Sequence, residues 1–229
     1  MTNKNKIEVL LAKLKIQPRN FSVFENAFVH RSYLNENKSF KHESNERLEF
    51  LGDAVLELSA TEYLYKKYNF KEGELTSLRS ALVRGNNLSH VAKELGLYEC
   101  LYLSSGERKS SGKAKDLILA NTLEALIGAI YLDLGMEVAT KFIKEMILKH
   151  VEKILNEKLY IDPKSDFQEK VQETYKETPR YETLSESGPD HNKIFVSGVY
   201  ISDRLIAKGE GSSKSEAEQK AAECALGEI

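Results

Sequence analysis

Asn45-Glu46-Arg47-Leu48-Glu49-Phe50-Leu51-Gly52-Asp53-Ala54-Val55-Leu56 follows a polar run and opens a long segment of helical periodicity, with Leu48, Leu51, Val55 and Leu58 at three- and four-residue spacing. The spacing predicts one buried stripe. At about 100° per residue, Glu46, Glu49, Asp53 and Glu57 fall within a narrow arc of another face, flanked by Phe50 and Leu56. Like charges at i,i+4, as in Glu49–Asp53 and Asp53–Glu57, destabilise an isolated helix by roughly 0.2–0.5 kcal/mol per pair, and no lysine or arginine of the ridge offsets them. Such a ridge is either a solvated face or a set of cation ligands. Hard oxygen donors of this kind suit Mg²⁺ or Mn²⁺, which bind one or two carboxylates and keep waters and substrate phosphate in the shell. Gly52 costs about 1 kcal/mol relative to alanine inside a helix, so another backbone or a second subunit is expected to come close there.

The rest of the composition bounds the class. With 229 residues, 41% apolar and 30% charged, the chain can hold one large or two small domains. No apolar run is read as a membrane span, and the N-terminal residues lead into an amphipathic pattern rather than a secretory leader, so a cytoplasmic location is expected. Cys100 and Cys224 have no metal-ligand spacing and read as reduced thiols. The net charge of −2 offers no basic footprint, and from Asp162 onward 9 Lys and Arg face 14 Asp and Glu. Any case for nucleic acid therefore rests on local placement.

Around the central stretch the pattern is helical. Ile7, Leu10, Leu11 and Leu14 predict a first helix that ends before Pro18, and Ser22 an N-cap for a second, through Phe28. The central helix is expected to run to about Tyr68, followed by a turn through Gly73, and a helix over 86–97 capped by Gly96. Residues 104–115 form a Gly/Ser-rich stretch with four basic side chains, either a plain surface loop or a strap that follows a phosphate backbone, and Asp116 is the expected N-cap of the next helix. That helix, 117–131, is strongly apolar, with Asn121 and Glu124 sharing a face. A polar pair in such surroundings needs a partner. A docked helix is expected over about 138–158. Pro163 then marks a boundary, giving domains 1–158 and 162–229 joined by a linker at 159–161. In the second domain the order reads helix, three strands, helix: Ser165 caps the first helix, the strands are 181–185, 194–199 and 205–209, and Ser212-Ser213-Lys214 opens the last helix, whose alanines suit close packing on a sheet.

The run Glu46 to Leu56 resembles the signature of the ribonuclease III family, bacterial endonucleases that cleave double-stranded RNA, and the segment around Asn121 and Glu124 resembles that family's second motif. The C-terminal order resembles the double-stranded RNA-binding domain. The resemblance implies an all-α endonuclease domain followed by an α+β (α-β-β-β-α) RNA-binding domain, and a Mg²⁺-dependent endoribonuclease of ribosomal and messenger RNA processing that leaves 5′-phosphate and 3′-hydroxyl ends. Glu49, Asp53, Asn121 and Glu124 are then the metal ligands, with Asp53 and Glu124 the catalytic pair. Asn121 departs from the family's usual acid, which removes one negative charge from the site. The implied partners are duplex RNA and a second copy of the chain, with Phe50 inserted into the partner, and no membrane. Family members contact about 16 base pairs from three places, which here match Gln168 and Glu169, Asp190-His191, and Lys214 with Lys220. The competing reading is a protein that binds duplex RNA without cutting it.

Overall fold

Apolar spacing produces helices throughout the first 160 residues, and one apolar helix gathers the others round it. The computed structural model describes residues 2–189 and 193–229, divided into two compact units, Met1–Tyr160 and Ile161–Ile229. The first unit contains α1 (Asn3–Lys13), α2 (Phe21–Ala27), α3 (Arg31–Glu36), α4 (Glu46–Lys67), α5 (Glu72–Val83), α6 (Gly85–Leu95), α7 (Gly112–Leu134), α8 (Met136–Met146) and α9 (Val151–Asn156). Short 3-10 turns at Leu97–Cys100, Glu107–Lys109 and Leu148–His150 complete it. It is all-helical apart from an isolated bridge between Val29 and Tyr102.

Helix α7 is long and apolar enough by length and composition to cross a membrane. That corrects the expectation that no such segment exists, although burial explains the composition. Ile118, Leu119, Leu123, Leu126, Ile127 and Ile130 are all buried, and α2, α4, α6 and α8 pack around them. Apolar surface on every side of a helix marks a central core helix as readily as a membrane span.

Helix α4 lies against α7 at backbone distance. A Cβ built on Gly52 would stand 1.8 Å from the carbonyl oxygen of Glu124, and one on Gly128 would stand 2.2 Å from that of Leu48. The close approach expected at Gly52 is thus made by a backbone of the same chain. Its buried stripe is Leu48, Gly52, Val55, Leu56, Ser59, Ala60 and Leu64. Leu58 is not part of it, being 60% exposed, whereas Leu56, expected beside the ridge, is fully buried. The stripe drifts because the contact follows i±4 rows rather than a strict heptad.

Several boundaries differ from the sequence reading. Asn20, not Ser22, caps α2, its side chain accepting from the Ser22 N–H. Gly73 lies in the first turn of α5 rather than in a loop. Helix α7 begins at Gly112, so Asp116 is not a cap but pairs with Lys93. The segment expected as one helix over 138–158 breaks at Ile147 and Leu148, both buried.

The second unit has α10 (Pro163–Tyr175), β1 (Arg180–Ser187), β2 (Ile194–Ile201), β3 (Arg204–Gly211) and α11 (Lys214–Leu226). Asp162 rather than Ser165 caps α10, with Pro163 in its first turn. The strands pair antiparallel in the order β1-β2-β3. Ala217, Ala221, Ala222 and Ala225 of α11 are buried with Phe167, Val171, Val199 and Ile201. Gly209 completes the fit, since a Cβ there would meet the Ala221 nitrogen at 2.1 Å.

Gly52→Ala should destabilise the protein by about 2–4 kcal/mol, because the obstructing atoms are backbone and cannot swing aside. Gly73→Ala, with open space around its Cβ, should stay within about 0.5 kcal/mol of the parent. Urea unfolding midpoints compare the two, and equal midpoints would contradict the contact.

Candidate active site

Four side chains are brought together where α4 and α7 touch. Glu49 and Asp53 lie one turn apart on α4, on either side of the Gly52 contact, and Asn121 and Glu124 lie on the facing surface of α7. The peptide carbonyl that Gly52 admits is that of Glu124 itself, so the backbone contact sets how near the carboxylates of the two helices come. Asp53 is exposed, while Glu49, Asn121 and Glu124 are half-buried.

The charges interact across this seam. Burial raises the Glu124 carboxyl to about 7, reinforced by the negative charges of Asp53 and then Glu49. Glu49 is also raised, first by burial and further by Glu46 and Asp53, with the Asn121 amide working in the opposite direction. These are the effects of concentrated like charge in partly dehydrated surroundings.

Tertiary structure corrects the picture of a uniformly uncompensated ridge. Arg31 of α3 approaches Glu46 at 3.5 Å and Arg79 of α5 approaches Glu57 at 3.1 Å. Both ends of the ridge are therefore offset by arginines distant in sequence. Among the ion pairs of the described residues, none involves Glu49, Asp53 or Glu124. Among those residues no three acidic, histidine or cysteine side chains stand close enough together to hold a metal ion as they are placed. The donor set is nonetheless all oxygen and strongly negative, which fits a hard divalent cation that fills the rest of its shell with water and phosphate oxygens.

Sequence reasoning missed four contributors. Gly128 is the reciprocal of Gly52, and its position inside a helix carried the same signal. Arg31 and Arg79 carried none, because only folding brings them to the ridge. Asn45, almost wholly buried, anchors the start of α4 by donating its N–H to the Val29 carbonyl at 2.8 Å and its side-chain amide to that of Ala27.

Phe50 projects from the same region, 81% exposed, beside a groove of about 790 Å³ lined in part by Val23, Asn26, Leu48, Leu51 and Leu132. In the second unit Gln168 and Glu169 are exposed on α10. Lys214 and Lys220 lie on α11, each held by a carboxylate: Lys214 by Glu186 at 3.0 Å and Lys220 by Glu216 at 3.1 Å. Asp190-His191, expected to touch RNA, lie outside the described residues.

An all-helical unit with a carboxylate-lined seam, followed by an α-β-β-β-α unit, defines a class: helical nucleases that carry a double-stranded RNA-binding fold. Residues 20–151 match the Ribonuclease-III-like family model and residues 163–229 the double-stranded RNA binding motif. Ribonuclease 3 of Borreliella afzelii is 43% identical over 97% of this chain and 91% of that protein, and that of Staphylococcus aureus 38% identical over 99% and 93%. Among solved structures, the nuclease domain of Campylobacter jejuni ribonuclease III superposes with a TM-score of 0.57 at 39% identity, covering 62% of this chain and 96% of that one. The chain belongs to the ribonuclease III family.

The raised Glu124 carboxyl has a signed consequence for stability. Below its ordinary value of 4.5 the proton is bound in both states and costs nothing; between 4.5 and about 7 the unfolded chain ionises first, and stability falls as pH rises. Without divalent cations, going from pH 5 to 8 should cost the native protein ~1 kcal/mol, or roughly 2–4 °C of Tm, more than it costs Glu124→Gln, after discounting for partial exposure. Parallel profiles of Tm against pH would mean that the group ionises as in the unfolded chain.

Proposed function

We propose that the chain hydrolyses phosphodiester bonds of double-stranded RNA to 5′-phosphate and 3′-hydroxyl ends, acting in the cytoplasm on structured ribosomal and messenger precursors. The observation that carries this reading is the trio Glu49, Asp53 and Glu124, which has no basic partner among the described residues while arginines offset both ends of the α4 ridge. Family membership supports both the reaction and the substrate. On this reading residues 1–158 cut, 162–229 hold the duplex, and 159–161 join them.

Glu49, Asp53 and Glu124, with the Asn121 amide oxygen, would hold Mg²⁺ or Mn²⁺. Such an ion, once bound, supplies an activated water and charge neutralisation at the attacked phosphate. Asp53, the exposed member, is open to solvent and substrate, and Glu124 supplies a carboxyl whose ionisation falls near neutrality. Asn121 gives an oxygen but no charge. The seam therefore relies on three carboxylates, and the metal requirement should exceed that of a four-carboxylate site.

Cutting both strands calls for two copies of the seam. The exposed Phe50 and the groove it lines, where Val23, Leu48, Leu51 and Leu132 stand among charged side chains, support a homodimer in which the ring of one copy seats in the groove of the other. A dimer-forming region is described for the Campylobacter jejuni nuclease domain. Phe50→Ala should shift sedimentation at micromolar concentration toward monomer; a native protein that is already monomeric would remove the two-copy arrangement.

Long duplex RNA incubated with the full chain and Mg²⁺ should be reduced to short fragments. Asp53→Asn should abolish cutting and leave duplex binding within about twofold of native, a change too small to signal a lost phosphate contact. Asn121→Asp should reach half-maximal rate at lower Mg²⁺ than the native chain, with Mn²⁺ narrowing the gap. Cleavage seen only in Asn121→Asp would instead establish a protein that binds without cutting.

A further inference from the structure

The second unit places one carboxylate between two lysines, one of them Lys214, which the resemblance puts at the duplex. Odd-numbered residues of β2 face the helices: Val199 is buried among the alanines of α11, Ser197 is buried, and Phe195 follows on the same face. On β1, Tyr181 pairs with Val199 and Thr183 with Ser197, so even-numbered residues should point to the opposite face. A register shift between Thr183 and Ser185 inserts one residue, after which Glu186 pairs with Phe195. The insertion reverses the alternation, so Glu186 shares the face on which α11 begins.

There its two oxygens are divided between two lysines. Oε2 lies 3.0 Å from Lys193 at the entry to β2, and Oε1 lies 3.0 Å from Lys214 in the first turn of α11. Both ammonium groups also stand over the Phe195 ring, at 5.6 and 5.9 Å from its centroid. The two lysines hold the Glu186 carboxyl below the usual carboxylate range. The arrangement differs from the neighbouring Lys220–Glu216 pair, a local i,i+4 contact in which Glu216 is committed mainly to the Ser212 N–H and hydroxyl. Glu186 instead spans two elements and gathers two cations, as a phosphate oxygen pair would.

We propose that Glu186 sets the affinity of this unit for duplex RNA, occupying Lys193 and Lys214 in the free chain and competing with backbone phosphates for them. The inference rests on the proposed recognition of double-stranded RNA. Binding then exchanges a carboxylate for phosphate at both lysines and leaves Glu186 unneutralised beside a polyanion. The contact carries no base information, so its effect is uniform across duplex sequences.

The test is binding of the full chain to a duplex of about 20 base pairs in chelator, so that no cutting occurs. Glu186→Gln should tighten binding about three- to tenfold at low ionic strength, with the gain shrinking as salt screens the charges. Glu186→Asp keeps the charge on a shorter stem that cannot span both lysines, and should tighten binding as well, though less. Glu223→Gln removes an exposed carboxylate of α11 that takes no part in the cluster and should change affinity less than twofold. Native affinity in Glu186→Gln, native affinity in Glu186→Asp, or an equal gain in Glu223→Gln would each overturn the competition. A native chain that fails to bind duplex RNA would instead refute the recognition on which the inference rests.

Discussion

Two glycines on two long helices hold the nuclease unit in register. Gly52 and Gly128 let α4 and α7 meet backbone to backbone, with no room for a Cβ on either side. Such a contact is short-ranged and stiff, because its atoms belong to hydrogen-bonded helix backbone rather than to side chains with other rotamers. It fixes the spacing of the two helices at one level along their axes. Glu49, Asp53, Asn121 and Glu124 occupy that level, so the seam proposed as the active site is held by the same contact that organises the core.

Charge placement shows a matching economy. A ridge of four acidic residues on one helix would repel itself along its whole length, and the fold brings Arg31 and Arg79 to Glu46 and Glu57 at its ends. The middle is left negative and partly dehydrated, which drives the Glu124 carboxyl to about 7. Repulsion retained at one point of an otherwise compensated surface identifies a ligand site better than acidity alone.

The second unit inverts the problem. It is net acidic yet has the fold of a double-stranded RNA binder, and its lysines on α11 are engaged by carboxylates of the same unit. Affinity for a polyanion there depends less on how many cations the unit possesses than on how readily it releases them. A single-residue register shift in β1, which turns Glu186 to the helix face, governs part of that balance.

Much of this was legible in the sequence. The apolar periodicity, the order of elements in both units and the resemblance of Glu46 to Leu56 to a known signature led to the architecture. The four residues proposed as the site are read from their spacing and that resemblance, and the fold brings them to one seam. Helix ends were read less well, as at Asn20, Asp116 and Asp162, because capping depends on which side chain reaches a free N–H, and several near the boundary can do so. What only the tertiary structure decided concerns partners distant along the chain: that Gly52 meets Gly128 rather than another subunit, that Leu58 is outside and Leu56 inside, that Arg31 and Arg79 reach the ridge, and that Glu186 holds Lys193 and Lys214. Periodicity specifies which face of an element is apolar, a property of neighbours in sequence. It does not specify what packs against that face, because the meeting of two elements depends on the geometry of both and of everything that holds them there.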